Sequence, residues 1–403
     1  MGKVLDAYRE VATPGTVETI ERLAEPLSGR SVLHVNSTRV GGGVAEILQQ
    51  LIGLFADVGL EPRWEVIEGD DQFFVVTKAF HNALQGRSQV LTPEMRETYQ
   101  STVRANLARL NLVSDAVVIH DPQPAALVER RDHDVPWIWR CHIDLSRPDR
   151  EFWKFLRTYV VQYDATFFSL PQFARRLPVP QLLLWPSIDP LSDKNVELSE
   201  KDVRERVEGL GIPRDRPIVL QVSRFDHFKD PVGVIKAFRL VRRDVSCILV
   251  LAGGTATDDP ESATVLEEVR EVTAGDPDIY VLVLPPTAHR DINALQRAAA
   301  VVIQKSTREG FGLTVTEAMW KGKPVVGGQA GGITTQVLFG LTGYLVKSIE
   351  GAAFRLRNLL ENPALAVQMG REGKAHVRRN FLITRSLQDY LATLTWLWQK
   401  RTD

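Results

Sequence analysis

The sequence is short of the features that mark several large classes of protein. Its 403 residues include two cysteines, Cys141 and Cys247, too few for a disulfide framework or a cysteine-held zinc. Both are expected to be buried thiols in a reducing cytoplasm. Charge is nearly balanced, at a formal net charge of −1, which argues against an electrostatic nucleic-acid binder. No window approaches the ~18 uninterrupted apolar residues of a membrane span, and the first ten residues lack the apolar core of a secretory signal. There is no low-complexity segment and no short-period repeat. GxSxG, the P-loop, HExxH, a CxxC pair and GxGxxG with its acidic partner are all absent, so serine hydrolysis, P-loop NTP hydrolysis, zinc proteolysis and NAD binding lack their signatures. The acidic pair Asp258-Asp259 and the cluster Arg130-Arg-Asp-His-Asp134 read as charged loops rather than metal sites. No metal ligand set and no cofactor are expected.

What remains is an ordinary globular composition, 44% hydrophobic and 25% charged, in a length that suggests two domains. After an amphipathic leader over about 4–28, short β-branched runs alternate with helical lengths. In the first half they lie at 31–36, 64–67, 116–119, 136–139, 164–169 and 181–185; in the second, at 218–222, 247–252, 280–284, 300–303 and 324–326. Strands alternating with helices mean a parallel, doubly wound α/β sheet, here twice over. The stretch 186–195, proline-rich, polar and aperiodic, places the boundary between a domain of residues 1–188 and one of 189–383. The final helix carries Leu387, Leu391, Leu394 and Leu397, so it docks against something. Leader and tail are compatible with a dimer and equally with docking inside one chain.

The second half centres on Glu309 and Glu317, eight positions apart around a glycine-punctuated turn. The apolar run at 300–303 puts Glu309 just past the carboxyl end of a buried strand. Gly310 and Gly312 let the backbone turn and approach a ligand; from Leu313 a short helix follows, closed by Gly322. One carboxylate then sits in the loop and the other about a turn into the helix. The free N–H groups of that first turn, at Leu313 and Thr314, favour phosphate oxygens. Carboxylates accept hydrogen bonds only, which suits hydroxyl-rich partners: a hexose for Glu309, a ribose for Glu317. Taken alone, the stretch fits a solvated surface loop as well.

Other polar residues fall past strand ends in the same way. Arg224 and Lys229 follow the strand ending at Val222, and guanidinium with ammonium suits a diphosphate. Gly331 and Gly332 open a further turn with backbone donors. In the first half, Gly41, Gly42 and Gly43 precede a helix over 44–55, while His120, Asp121, Arg140, His142 and Asp144 are delivered to the sheet edge where open α/β sheets bind ligands. Trp153, Phe155 and Tyr159 read as a core-packing stripe.

Together these motifs resemble the retaining GT-B nucleotide-sugar glycosyltransferases of the sucrose synthase and glycogen synthase type. His120-Asp-Pro-Gln-Pro124, Trp139-Arg-Cys-His-Ile-Asp-Leu-Ser146, Pro186-Ser-Ile-Asp-Pro-Leu-Ser192 and Arg308-Glu-Gly-Phe-Gly-Leu-Thr-Val-Thr-Glu-Ala-Met-Trp-Lys-Gly-Lys-Pro324 are similar, more narrowly, to the trehalose glycosyltransferring synthases, from about residue 30 onward. The resemblance implies two Rossmann-like domains facing across a cleft, with the final helix, 384–403, packing back on the first. It implies reversible, metal-independent transfer of glucose from ADP-glucose or UDP-glucose to free glucose, giving α,α-trehalose with retention. On that pattern Arg224 and Lys229 hold the diphosphate, Glu309 binds donor-sugar hydroxyls and Glu317 the ribose. Gly310, Phe311, Gly312, Leu313 and Thr314 line the donor; Gly42 and Gly43 border phosphates and sugar; His142 contacts the donor glucose; Asp121 and Asp144 shape the acceptor side. The chain departs from the family at Phe339 and Leu341, where acidic residues are usual. A same-fold transferase with another acceptor, a sugar-nucleotide epimerase and a non-catalytic sugar-binding regulator are the competing readings. The intact set of two cations and two carboxylates speaks against the regulator, and the lack of further carboxylates for acid–base work at the ring speaks against the epimerase.

Overall fold

The computed structural model describes residues 3–39, 42–254 and 260–402. Gly41 and the Asp258-Asp259 pair lie outside the described residues. The chain forms two compact units, one of residues up to Ser187 together with the helix Ile383–Thr402, the other of Ile188–Leu382.

The first unit is built on six parallel strands: β1 (Ser31–Asn36), β2 (Glu61–Val66), β3 (Ala116–His120), β4 (Trp137–Cys141), β5 (Ala165–Phe168) and β6 (Gln181–Leu183), in the order β2-β1-β3-β4-β5-β6. All five residues of β3 and of β4 are buried, as strands covered by helices on both faces must be. Phe80, Tyr99, Phe152 and Phe155 fill one side as an aromatic cluster, Phe80 stacked on Tyr99 and the other pairs edge-to-face, with ring centroids 4.9–5.6 Å apart. Tyr159 joins it, and Trp153 packs at its margin, which makes the aromatic stripe a core feature. Leu387, Leu391, Leu394 and Leu397 of the terminal helix are all buried, and that helix packs on the helix Thr16–Ala24. Cys141 and Cys247 are buried free thiols.

The second unit repeats the plan with β7 (Ile218–Val222), β8 (Ile248–Gly253), β9 (Ile279–Val283), β10 (Val301–Gln304), β11 (Val325–Gly328) and β12 (Gly343–Val346), in the order β12-β11-β10-β7-β8-β9. Every pairing is again parallel. The strand β12 was not among the expected runs: it is four residues long and has a glycine and a tyrosine in place of a β-branched pattern. Phe339 and Leu341, beside it, are exposed, and Arg355 stacks over Phe339 at 5.2 Å. The proline-rich stretch at 186–195 is well bonded. Ser187 Oγ meets Ser386 Oγ at 2.7 Å in the first unit, while Asn195 in the second donates to Asp189 O at 2.9 Å and accepts from Lys321 Nζ at 2.9 Å.

Chain order reverses between β1 and β3 in the first sheet and between β7 and β10 in the second. The loops leaving two adjacent strands at such a point run to opposite sides and open a crevice beyond the carboxyl ends. The polar residues singled out from the sequence follow β1, β3, β4, β7 and β10.

Candidate functional site

In the second unit, β7 and β10 are neighbours, so the loops after them meet. Lys229 ends a short 3-10 turn, His227–Lys229, that Asp226 caps by accepting from Phe228 N at 2.7 Å; Gln221 Nε2 holds the Lys229 carbonyl at 2.8 Å. From there Lys229 Nζ reaches Glu309 Oε2 at 2.6 Å, across 80 positions of sequence. Ser306 Oγ donates to the same oxygen at 3.2 Å. The Lys229 and Glu309 side chains are only 17% and 9% exposed, so the pair sits at the lip of the core. Arg224, five residues earlier, is exposed and lies 3.7 Å from Asp226. Lys305 is buried and ion-paired with Asp230, the residue that caps the next helix through Gly233 N. That contact ties the β10 loop to the β7 loop beneath Lys229 and Glu309.

Two glycines let the Glu309 loop turn as it does. Gly312 has φ +88, a left-handed value that a side chain would strain, and it is the N-cap of the helix Leu313–Trp320 with no side-chain cap. The first-turn N–H groups at Leu313 and Thr314 therefore lack a side-chain acceptor, which is the arrangement that favours an anion. Gly331, at φ +44, passes so close that a Cβ there would lie 1.5 Å from the Glu309 carbonyl oxygen. Phe311 is buried, edge-on to Phe381, and its carbonyl accepts from Gln336, so its side chain belongs to the core.

Glu317 is one turn into that helix and 3% exposed. Its Oε1 is 3.8 Å from Lys194 Nζ, whereas its Oε2 is buried with no hydrogen-bond partner among the described residues. A buried carboxylate oxygen without a donor is costly unless something supplies one. Lys321, one turn further on, is buried, donates to Asn195 and to the Glu317 carbonyl, and is pushed by burial down to about 7 against the opposing pull of the Glu317 charge.

In the first unit, Gly42 and Gly43 do not form a loop before the helix; they are its first residues, in Gly42–Asp57, where backbone N–H groups need no intrahelical partner. Arg140 is a correction too. It lies inside β4, 1% exposed, with Nη2 donating to Leu184 O at 2.5 Å, because alternation along the strand turns it into the protein. Burial lowers its pKa. Asp121 follows β3 at φ +66, a conformation uncommon outside glycine, and its Oδ1 accepts from His142 N at 2.7 Å. Burial raises Asp121 to about 7 against the opposing effects of that bond and of Arg140. His142 Nε2 lies 2.9 Å from His120 Nδ1. Asp144 Oδ1 accepts from Ser146 N at 2.7 Å.

His34 is the polar residue that strand reading overlooked. It is fully buried in β1, with Nδ1 3.0 Å from His120 Nε2. A histidine amid Val and Leu is ordinarily read as core; its meaning needs the strand order β1-β3-β4, which brings His34, His120 and His142 side by side. No group of three metal-ligating side chains occurs among the described residues. No described helix is long and apolar enough to cross a membrane.

Two Rossmann-like parallel sheets, with polar side chains gathered at each switch point, are the architecture of the GT-B fold, and with the family matches that follow they make the chain a GT-B glycosyltransferase. The α,α-trehalose-phosphate synthase (UDP-forming) from Burkholderia xenovorans superposes with a TM-score of 0.75 at 14% identity, over 91% of this chain and 100% of that one. Residues 34–175 match the family described as trehalose synthase, N-terminal domain, and residues 202–376 match glycosyl transferases group 1. A trehalose synthase from Pyrococcus horikoshii is 46% identical over 98% of this chain and 96% of its own length, and one from Rubrobacter xylanophilus is 44% identical over 96% of each. The chain belongs to the trehalose synthase family.

Proposed function

We propose that the protein transfers glucose from ADP-glucose or UDP-glucose to the anomeric hydroxyl of free glucose, reversibly and with retention, to give α,α-trehalose. The observation that carries this reading is the meeting of Lys229 and Glu309 at 2.6 Å beside a helix end without a side-chain cap, with Glu317 holding an unpartnered carboxylate oxygen one turn inside. Arg224, Lys229 and the N–H groups at Leu313 and Thr314 supply positive charge for a diphosphate; Glu309 accepts from hexose hydroxyls and Glu317 from the ribose. His142, Asp121 and Asp144 are the first unit's contributions to sugar recognition.

Retention needs no enzyme nucleophile in this scheme. As the C1–O bond to the diphosphate breaks, the acceptor oxygen bonds C1 on the same face, and its proton passes to the departing phosphate oxygen. Lys229 and Arg224 stabilise the charge that develops on the leaving group, and positioning does the rest. Two cations and a helix end fill the role a divalent ion would take, so turnover is expected to survive chelation. The two buried free thiols suit work in a reducing cytoplasm. Incubating the protein with either nucleotide sugar and glucose, with chelator present, should yield trehalose and nucleoside diphosphate. Release of nucleoside diphosphate only with a different acceptor would overturn the trehalose reading.

A further inference from the structure

Sugar recognition by His142 calls for one histidine, yet the first unit sets three in a row across adjacent strands, toward their carboxyl ends. His34 lies in β1, His120 ends β3 and His142 follows β4. Nδ1 of His34 is 3.0 Å from Nε2 of His120, and Nδ1 of His120 is 2.9 Å from Nε2 of His142. The rings stack at each step, with centroids 5.3 Å apart. Burial keeps all three neutral at pH 7: His34 falls to about 3, and His120 and His142 fall well below the ordinary histidine value. The charged and titratable groups around the row are Arg140, Asp121 and Tyr390. Arg140 further disfavours protonation of His120 and His142, Asp121 engages the backbone of His142 rather than its ring, and the Tyr390 ring stands edge-on to His34.

A neutral imidazole has one N–H and one bare nitrogen, so a chain of three joined nitrogen to nitrogen admits two proton arrangements. In the first, His34 Nδ1–H donates to His120 Nε2, His120 Nδ1–H donates to His142 Nε2, and His142 is left with Nδ1–H. In the second, every proton sits on Nε2, His142 presents a bare Nδ1, and His34 carries an Nε2–H. The buried end decides between them. His34 Nε2 has no partner and is walled by Phe55 and Tyr390, with centroids at 5.5 and 5.8 Å. A buried N–H without an acceptor is rarer than an under-used acceptor, so the first arrangement is favoured. Among the described residues, His142 Nδ1 has no hydrogen-bond partner.

We propose that His34 and His120 are positioning residues that lock His142 in its Nδ1–H tautomer, so that His142 meets a sugar oxygen as a donor. The identity of that oxygen rests on the glucosyl-transfer reading; the tautomer rests on the histidine row alone.

The test is a long-range proton–nitrogen correlation spectrum of the full chain labelled with 15N-histidine at neutral pH, with His142 assigned by the signal lost in His142→Gln. The expected result is a protonated Nδ1 and a bare Nε2 on His142. The variant His34→Met fills the space between Phe55 and Tyr390 but offers His120 Nε2 a thioether, which accepts and cannot donate; His120 can then carry its proton on Nε2, the His142 pattern should move toward Nε2–H, and kcat/KM for the nucleotide sugar should fall about 10-fold, the worth of about one hydrogen bond. A bare Nδ1 on His142 in the unaltered protein overturns the proposal, whether or not the variant folds. So does a His34→Met protein whose His142 signals and turnover are unchanged. The expected tautomer in a protein that transfers no glucose would leave the histidine row standing and sink the catalytic reading instead.

Discussion

Replacing Lys229 by Met strands the Glu309 carboxylate, and the structure allows the cost to be worked out. At 2.6 Å and an effective dielectric near 20, the gross attraction is roughly 6 kcal/mol; desolvation and side-chain ordering offset most of it, leaving a net coupling of about 2 kcal/mol. In Lys229→Met the carboxylate, 9% exposed, keeps only the Ser306 hydroxyl at 3.2 Å, a loss of about 3 kcal/mol. In Glu309→Gln the ammonium retains more access to water, at 17% exposed, and the loss is about 2 kcal/mol. Without coupling the double variant would lose about 5 kcal/mol; with it, about 3. For a unit of this size each kcal/mol moves the unfolding temperature by ~2–4 °C, so thermal unfolding of the second unit should fall ~6–12 °C in Lys229→Met and by a similar amount in the double variant. A double variant with the summed loss of both singles would show that the pair is only proximity, and the reading of Glu309 as a residue held in place by Lys229 would fail.

Two further perturbations probe the surroundings of that pair. Gly331→Ala would place a Cβ 1.5 Å from the Glu309 carbonyl oxygen at a backbone φ of +44, so the loop must move; glucosyl transfer should fall at least 10-fold and stability by about 2 kcal/mol, and kinetics like those of the unaltered protein would refute the close approach. Burial lowers Lys321 to about 7 in the folded protein from 10.5 when unfolded. Between those values the unfolded chain holds the proton that the folded one has released, so stability should rise as pH climbs from about 7 toward 10.5 and be flat in this contribution below 7. Thermal unfolding across pH 7–10 should show a rise that Lys321→Met flattens; equal slopes would contradict it.

The alternation of apolar runs with helical lengths made both parallel sheets legible, since a strand buried on both faces reads as an unbroken β-branched run. Where that signal was weak the reading failed: β12, with Gly343 and Tyr344, carries no such run. Side-chain direction was the other gap. Arg140 looked like a residue at the sheet edge because it lies two positions before His142, but that spacing keeps it inside β4 with its guanidinium turned to the Leu184 carbonyl. Likewise Gly42 and Gly43 read as a turn because glycine breaks helices in general, whereas the first helical turn tolerates it.

The deeper limit is strand order. Lys229 and Glu309 lie 80 positions apart, and each strand–loop motif alone is consistent with a solvated turn. They touch because the sheet places β10, the third strand after β7 in sequence, directly beside β7 at the reversal of winding. The same reversal puts β1 beside β3 and so brings His34 to His120, with β4 adding His142. Polarity past a strand end can be read residue by residue; which two ends share a crevice depends on pairings between distant segments. Residues such as Glu309, already in a loop, could be singled out before the order was known. His34, buried within a strand, acquires a role only once its neighbours across the sheet are known.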